Sequence, residues 1–158
     1  MKITLICIGK LKEKYWKDAL AEYSKRLSAY CDLKITELRE EPLRKDRASE
    51  ILEVKQKEGE RIMGEFKKEN LKILLDVGGE PMSSEEFADL IEKNMLYGRR
   101  NIDFIIGGSD GVSKEVKQNS DMAISFSHMT FPHQMMRVIL LEQIYRAYKI
   151  INHETYHK

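Results

Sequence analysis

Phe104-Ile105-Ile106-Gly107-Gly108-Ser109-Asp110-Gly111 is the stretch on which the reading of this chain turns. Its first three residues are an unbroken apolar run, which suits a strand buried on both faces of a parallel sheet. Three glycines follow within five residues. Glycine admits backbone conformations closed to other residues and lets a ligand approach bare main chain. The carboxyl end of a parallel strand is where open α/β sheets hold their ligands. This places a cofactor at Gly107 and Gly108. The same spacing also fits a tight turn into the next helix and nothing more, and on spacing alone the two readings stand level.

Working outward, the chain alternates apolar runs with helical periodicity. Strands are predicted over 2–8, 32–38, 71–77, 101–106 and 122–126. Between them, Trp16, Leu20, Tyr23 and Leu27 recur at helical spacing over 13–30, and Ile51, Val54, Ile62 and Phe66 do so over 49–68. Ser83 and Glu86 have capping-box spacing at the start of a helix that Gly98 stops. Ser113 caps a short helix over 114–119. A last helix is predicted over 134–151. The order is that of a parallel-rich α/β sheet with helices on both faces, in one domain spanning 1–158.

The last helix carries more apolar residues than one stripe needs, among them Met135, Val138, Ile139, Leu140, Leu141, Ile144, Tyr145 and Tyr148. A helix apolar over most of its surface is buried nearly all round. Packing against a second copy of the chain provides that. The tail 152–158 is polar and is expected to be extended.

At 158 residues the chain is long enough for a sizeable core. Its start reads as a first strand and not as a signal peptide. Cys7 and Cys31 lack CxxC spacing and are expected to be reduced thiols in a cytoplasmic protein. A net charge of +1 argues against a strongly basic nucleic-acid coat. Lys10, Lys12, Lys14 and Lys17 fit a solvated helix face first, and a local basic patch second.

Several chemistries are excluded by pattern. A dinucleotide fingerprint belongs after the first strand, where only Gly9 stands, and no P-loop or GxSxG elbow occurs. His153 and His157 are four apart, but cysteine partners and an HExxH pattern are missing, so no metal is expected. Three loops remain at strand ends, after Leu75, Ile106 and Phe126. One ligand held mainly by backbone in a shared cleft is the coherent picture. His128 and His133 flank Pro132 in the third loop, and Arg137 lies one helical turn beyond His133.

The residues of these loops also carry a resemblance. The glycine loop 106–111, the run Ser125-Phe126-Ser127-His128-Met129-Thr130-Phe131-Pro132-His133-Gln134-Met135-Met136-Arg137, the segment 142–147 and the terminal Tyr156-His157-Lys158 resemble the ribosomal RNA large subunit methyltransferase H family. The opening segment 9–16 is similar as well, so the resemblance covers the whole chain.

That resemblance implies an α/β-knot (SPOUT) methyltransferase. Its members are homodimers that bind S-adenosylmethionine in a C-terminal trefoil knot. They methylate N3 of a pseudouridine in large-subunit (23S) ribosomal RNA on the assembled ribosome. Carried over by motif, the cofactor contacts are Leu75, Gly107, Phe126, Ser127, His128, Met129, Thr130 and Phe131. Methyl transfer is chiefly a problem of positioning, together with removal of the N3 proton. His133 is the candidate base. Arg137 is the candidate for holding phosphate or the ring anion. Tyr156, His157 and Lys158 are candidates to reach the partner's site and bind RNA, and plain disorder is the other reading of that tail. The rival function is a non-enzymatic α/β dimer sensing a nucleotide or adenosyl ligand.

Overall fold

A computed structural model describes residues 1–44, 47–98 and 101–156. The elements run β1 (Lys2–Ile8), α1 (Lys14–Leu27), β2 (Asp32–Leu38), α2 (Ala48–Gly64), β3 (Leu71–Pro81), α3 (Ser84–Tyr97), β4 (Ile102–Ile106), α4 (Lys114–Asn119), β5 (Met122–Ser125) and α5 (His133–Ile151). The five strands form one sheet in the order β2-β1-β4-β3-β5, and every pairing is parallel.

The apolar runs explain the layers. All five residues of β4 are buried, as a central strand covered on both faces requires. Along β1 the side chains alternate. Ile3, Leu5 and Cys7 join a core with Leu20 and Leu27 of α1, Phe87 and Ile91 of α3, and Leu140, Leu141 and Ile144 of α5. Ile6 and Ile8 join a smaller core on the opposite face with Ile62 of α2 and Val116 of α4. Each such aliphatic side chain contributes roughly 1.5–3 kcal/mol by leaving water.

The predicted caps form. Ser83 Oγ accepts the Glu86 N–H at 3.2 Å, and the Glu86 carboxylate accepts the Ser83 N–H at 2.7 Å. Ser113 Oγ accepts the Val116 N–H at 3.3 Å. Helices α1 and α2 are shorter than the periodicity predicts, ending at Leu27 and Gly64.

Two expectations are corrected. Strand β3 does not end at Val77 but runs to Pro81. Both Leu75 and Glu80 pair with Ile124, so the four residues between them bulge out of the ladder. Gly79 permits this return, because a Cβ there would lie 2.6 Å from the Ile124 carbonyl carbon. The tail is not extended over 152–156. His153 adopts a left-handed conformation (φ 55°), and Glu154 N–H bonds back to Lys149 O at 2.8 Å. The Glu154 carboxylate then meets Lys149 and the Tyr30 hydroxyl, which folds the chain back onto α5.

Helix α5 packs between α1 and α3 on one face of the sheet. Arg137, Leu140, Leu141, Ile144, Ala147 and Tyr148 are its buried residues. The others are half-buried within the single chain.

Candidate active site at the carboxyl ends of β3, β4 and β5

Because β4, β3 and β5 are neighbours in the sheet, the loops after β4 and β5 meet the bulge of β3 although the three are far apart in sequence. They enclose a cleft of about 660 Å³. Its floor is apolar, formed by Leu75, Ile106, Val112, Ile124 and Phe126. Size and lining suit a small organic ligand.

The glycine loop turns back on itself, with the Gly111 N–H donating to Gly108 O at 3.0 Å. Gly111 takes a positive φ of 82°. The two leading glycines present backbone to the cleft because their side-chain positions are already filled. A Cβ on Gly107 would lie 2.6 Å from Val112 Cγ1, and one on Gly108 3.0 Å from Glu58 Oε2. Burial pushes the Glu58 carboxyl up, and its Oε1 accepts the Glu41 N–H at 2.9 Å.

The third loop is shaped by its serines. Ser125 Oγ donates to Ser127 O at 2.9 Å, and Ser127 Oγ accepts the Met129 N–H at 3.0 Å. Phe126 stands edge-on to Phe87 with centroids 5.5 Å apart. Leu75, Gly107, Phe126, Ser127, Met129, Thr130 and Phe131 therefore line one cleft. His128 is exposed and is not among the lining residues.

His133, the first residue of α5, closes the edge of the cleft and is half-buried. Burial depresses its pKa, the neighbouring Arg137 guanidinium depresses it further, and Glu40 opposes both. Its imidazole is accordingly neutral at pH 7 and able to accept a proton.

Arg137 lies behind it and is fully buried. Nη1 donates to Glu37 Oε1 at 3.0 Å, and Nη2 donates to the carbonyls of Ile8 and Gly9 at 2.5 and 3.0 Å. The guanidinium thus offers no exposed surface to a phosphate, and the spacing from His133 in sequence could not reveal this. The three side chains converge on Gly9 (φ +83°). A Cβ there would lie 3.6 Å from Glu40 Oε2, 3.8 Å from His133 Nε2 and 3.9 Å from Arg137 Nη2.

A family described as "Predicted SPOUT methyltransferase" matches residues 1–157. The chain belongs to this SPOUT methyltransferase family. It is therefore a methyltransferase of the kind that takes its methyl group from S-adenosylmethionine. The cleft fits such a cofactor on three grounds: volume, an apolar floor, and backbone laid bare at Gly107 and Gly108.

Some site residues of this SPOUT chain were not legible in the sequence. Asp76 and Lys117 line the cleft and form an ion pair across it. Burial works to raise Asp76, but Lys117 and the Gly78 N–H at 3.0 Å outweigh it and hold the carboxyl below its ordinary value. The position of Asp76 directly after Leu75 was a usable signal. Nothing local marks Lys117. Tyr156 lies outside the cleft. Its hydroxyl donates to Glu142 Oε2 at 2.9 Å, and its ring contacts Tyr145 and Arg146. His157 falls outside the described residues. No helix among the described residues is long and apolar enough to cross a membrane.

Proposed function

We propose that the chain methylates N3 of a pseudouridine in 23S ribosomal RNA, on the assembled ribosome, as a cytoplasmic homodimer using S-adenosylmethionine. One observation carries the reading. The loops that bear the resemblance form a single cleft, and a neutral histidine stands at its edge.

Bound S-adenosylmethionine supplies an electrophilic methyl group on a sulfonium sulfur. The protein's share of the work is placement and proton removal. Leu75, the Gly107 backbone and the segment Phe126, Ser127, His128, Met129, Thr130 and Phe131 hold the cofactor. The third loop closes over it in this reading, which brings His128 into contact. The His133 imidazole would take the N3 proton of the ring as the nitrogen–carbon bond forms and the sulfur–methyl bond breaks, the electron pair staying on sulfur in the departing S-adenosylhomocysteine. Arg137 acts through its neighbours: it adds to burial in disfavouring the imidazolium and fixes Gly9 beneath the base. The trefoil knot belongs to the same reading.

Helix geometry supports a second copy. Tyr156 sits beside Glu142, nine residues along α5 from His133, which is about 13 Å at 1.5 Å per residue. Tyr156 is not among the residues that line the cleft of its own chain. A tail that serves catalysis, with Tyr156 stacking on a base and His157 beside it, does so in the partner's cleft. The half-buried apolar residues of α5, such as Val138 and Ile139, provide the contact surface.

The test is tritiated methyl transfer from S-adenosylmethionine to isolated subunits and to assembled ribosomes, with the product nucleoside mapped. Label at N3 of a pseudouridine in 23S RNA, on assembled ribosomes, is the expected result. Label in another RNA or at another atom overturns the substrate assignment.

A further inference from the structure

We infer that the segment linking β1 to α1, together with the first turn of α1, is the surface on which the RNA backbone docks, with Lys10, Lys12 and Lys17 meeting phosphates and Tyr15 stacking on an unpaired base. The inference rests on the reading that the substrate is RNA.

The segment lies at the same edge of the sheet as the cleft, because it follows the carboxyl end of β1. Its first residue, Gly9, is the one on which His133, Arg137 and Glu40 converge. The segment is also held rigidly. Leu11 is buried, and its N–H donates at 3.1 Å to Glu37 Oε1, the oxygen that Arg137 also engages. The Gly9 N–H donates to Leu38 O at 2.8 Å. A docking surface built here is therefore fixed relative to the candidate base.

Its charge is local and unspent. Residues 10–17 hold four lysines against one acid, Glu13, a balance of 4 − 1 = +3 in a chain whose net charge is +1. Lys14 is paired with Asp18. Lys10, Lys12 and Lys17 are exposed and form no ion pair among the described residues. The carboxylates around them include Glu13, four residues from Lys17, Asp18, which Lys14 engages, Glu37, which Arg137 engages, and Glu40 beside Gly9. Between the lysines, Tyr15 is 63% exposed, with its ring edge-on to Trp16 at 5.1 Å. Exposed cations interleaved with an exposed aromatic ring match what a single-stranded or looped RNA asks of a protein surface: charge for the backbone and a flat face for a base.

The experiment compares the full-length protein with a K10Q/K12Q/K17Q variant and with Tyr15→Ala. Binding to assembled ribosomes and to protein-free 23S RNA is measured across a salt series. S-adenosylmethionine affinity and thermal unfolding serve as controls and stay unchanged, because all four side chains are exposed and none lines the cleft. Losing three phosphate contacts lowers the slope of log affinity against log salt by roughly 2–3. Tyr15→Ala weakens binding without changing that slope. Unchanged affinity and slope in the lysine variant overturn the inference. A loss confined to ribosomes and absent with protein-free RNA also overturns it, since the partner would then be a ribosomal protein. A wild-type protein that shows the lysine-dependent RNA binding but transfers no methyl group refutes the proposed function and leaves this surface standing.

Discussion

Arg137 Nη2 donates to the carbonyl oxygen of Gly9 at 3.0 Å, joining the second turn of the last helix to the end of the first strand. The same guanidinium holds Ile8 O and Glu37, so one fully buried cation stitches α5, β1 and β2 together beneath His133. Arg137→Met keeps much of the volume but strands two carbonyls and a partly exposed carboxylate. We expect a loss of about 3 kcal/mol, read as a lower denaturant midpoint with an unchanged slope. Arg137→Lys restores a charge but not the fork, and should recover only part. Wild-type stability in Arg137→Met would show that these hydrogen bonds do not hold the site.

Gly79 tests the bulge. Gly79→Ala places a Cβ 2.6–2.8 Å from the Ile124 and Ala123 backbone, where neither strand has room to give. A loss of roughly 1–3 kcal/mol is expected, with weaker S-adenosylmethionine binding because Asp76 and Val77 form a wall of the cleft. Gly111→Ala is the control. Nothing lies within 4 Å of its Cβ, so only the positive φ of 82° is strained, at about 1–2 kcal/mol. Equal cofactor affinity in Gly79→Ala and wild type would detach the bulge from the site.

The pH dependence follows from His133. Its pKa is held below the ordinary imidazole value of 6.5, first by burial and then by Arg137. A base works in its neutral form, so activity is retained above that lowered pKa and lost as pH falls through it. The acid limb of kcat/KM should therefore have its midpoint below 6.5. Stability has the same sign: the neutral imidazole suits the fold, and its contribution is lost as pH falls through the folded pKa. His133→Gln should remove the limb and cost roughly 10²–10⁴-fold in rate. Glu40→Gln removes the carboxylate that favours the imidazolium, so the limb should move to lower pH. A limb unchanged in His133→Gln assigns the base elsewhere.

What was legible depended on whether the deciding contact was local. The apolar runs bounded by Gly9 and by Asp32 specify β1 and β2 to the residue, because hydrophobic pattern and turn chemistry agree there. Ser113 marks α4 by the same local logic. The far half of β3 has no such signature. Apart from Val77, residues Asp76 to Glu80 are charged or glycine, and the chain rejoins the sheet only where Glu80 and Pro81 pair with β5, a contact distant in sequence. The fold-back of the tail likewise depends on a non-glycine residue at positive φ and on the partners Glu154–Lys149 and Tyr156–Glu142. The loops of the cleft were legible because glycine and small residues mark strand ends. The direction in which Arg137 points was not, since sequence spacing places a residue on a helix but does not choose between solvent and a neighbouring strand.

The tail provides the last test, because the folded-back Tyr156 meets Glu142, Tyr145 and Arg146 of α5. Deleting Tyr156, His157 and Lys158 removes no described residue that lines the cleft, so S-adenosylmethionine affinity should stay as it was. Methyl transfer to ribosomes should fall by roughly 10²-fold if the tail orients the base, since small misplacements of a reacting group are costly. Tyr156→Phe keeps the ring on Tyr145 and Arg146 but loses the bond to Glu142, so a purely stacking role leaves its rate nearly intact. Whether the tail acts in the partner's cleft is decided by mixing. Gly107→Val has a damaged cleft, because its side chain meets Val112, but an intact tail. The truncated chain has an intact cleft and no tail. If each is inactive alone, their mixed dimer holds one complete site, and a random mixture should recover about a quarter of wild-type activity. No recovery in a mixture shown to contain the mixed dimer would confine the tail to its own chain, and full activity of the truncated protein would leave it no catalytic part at all.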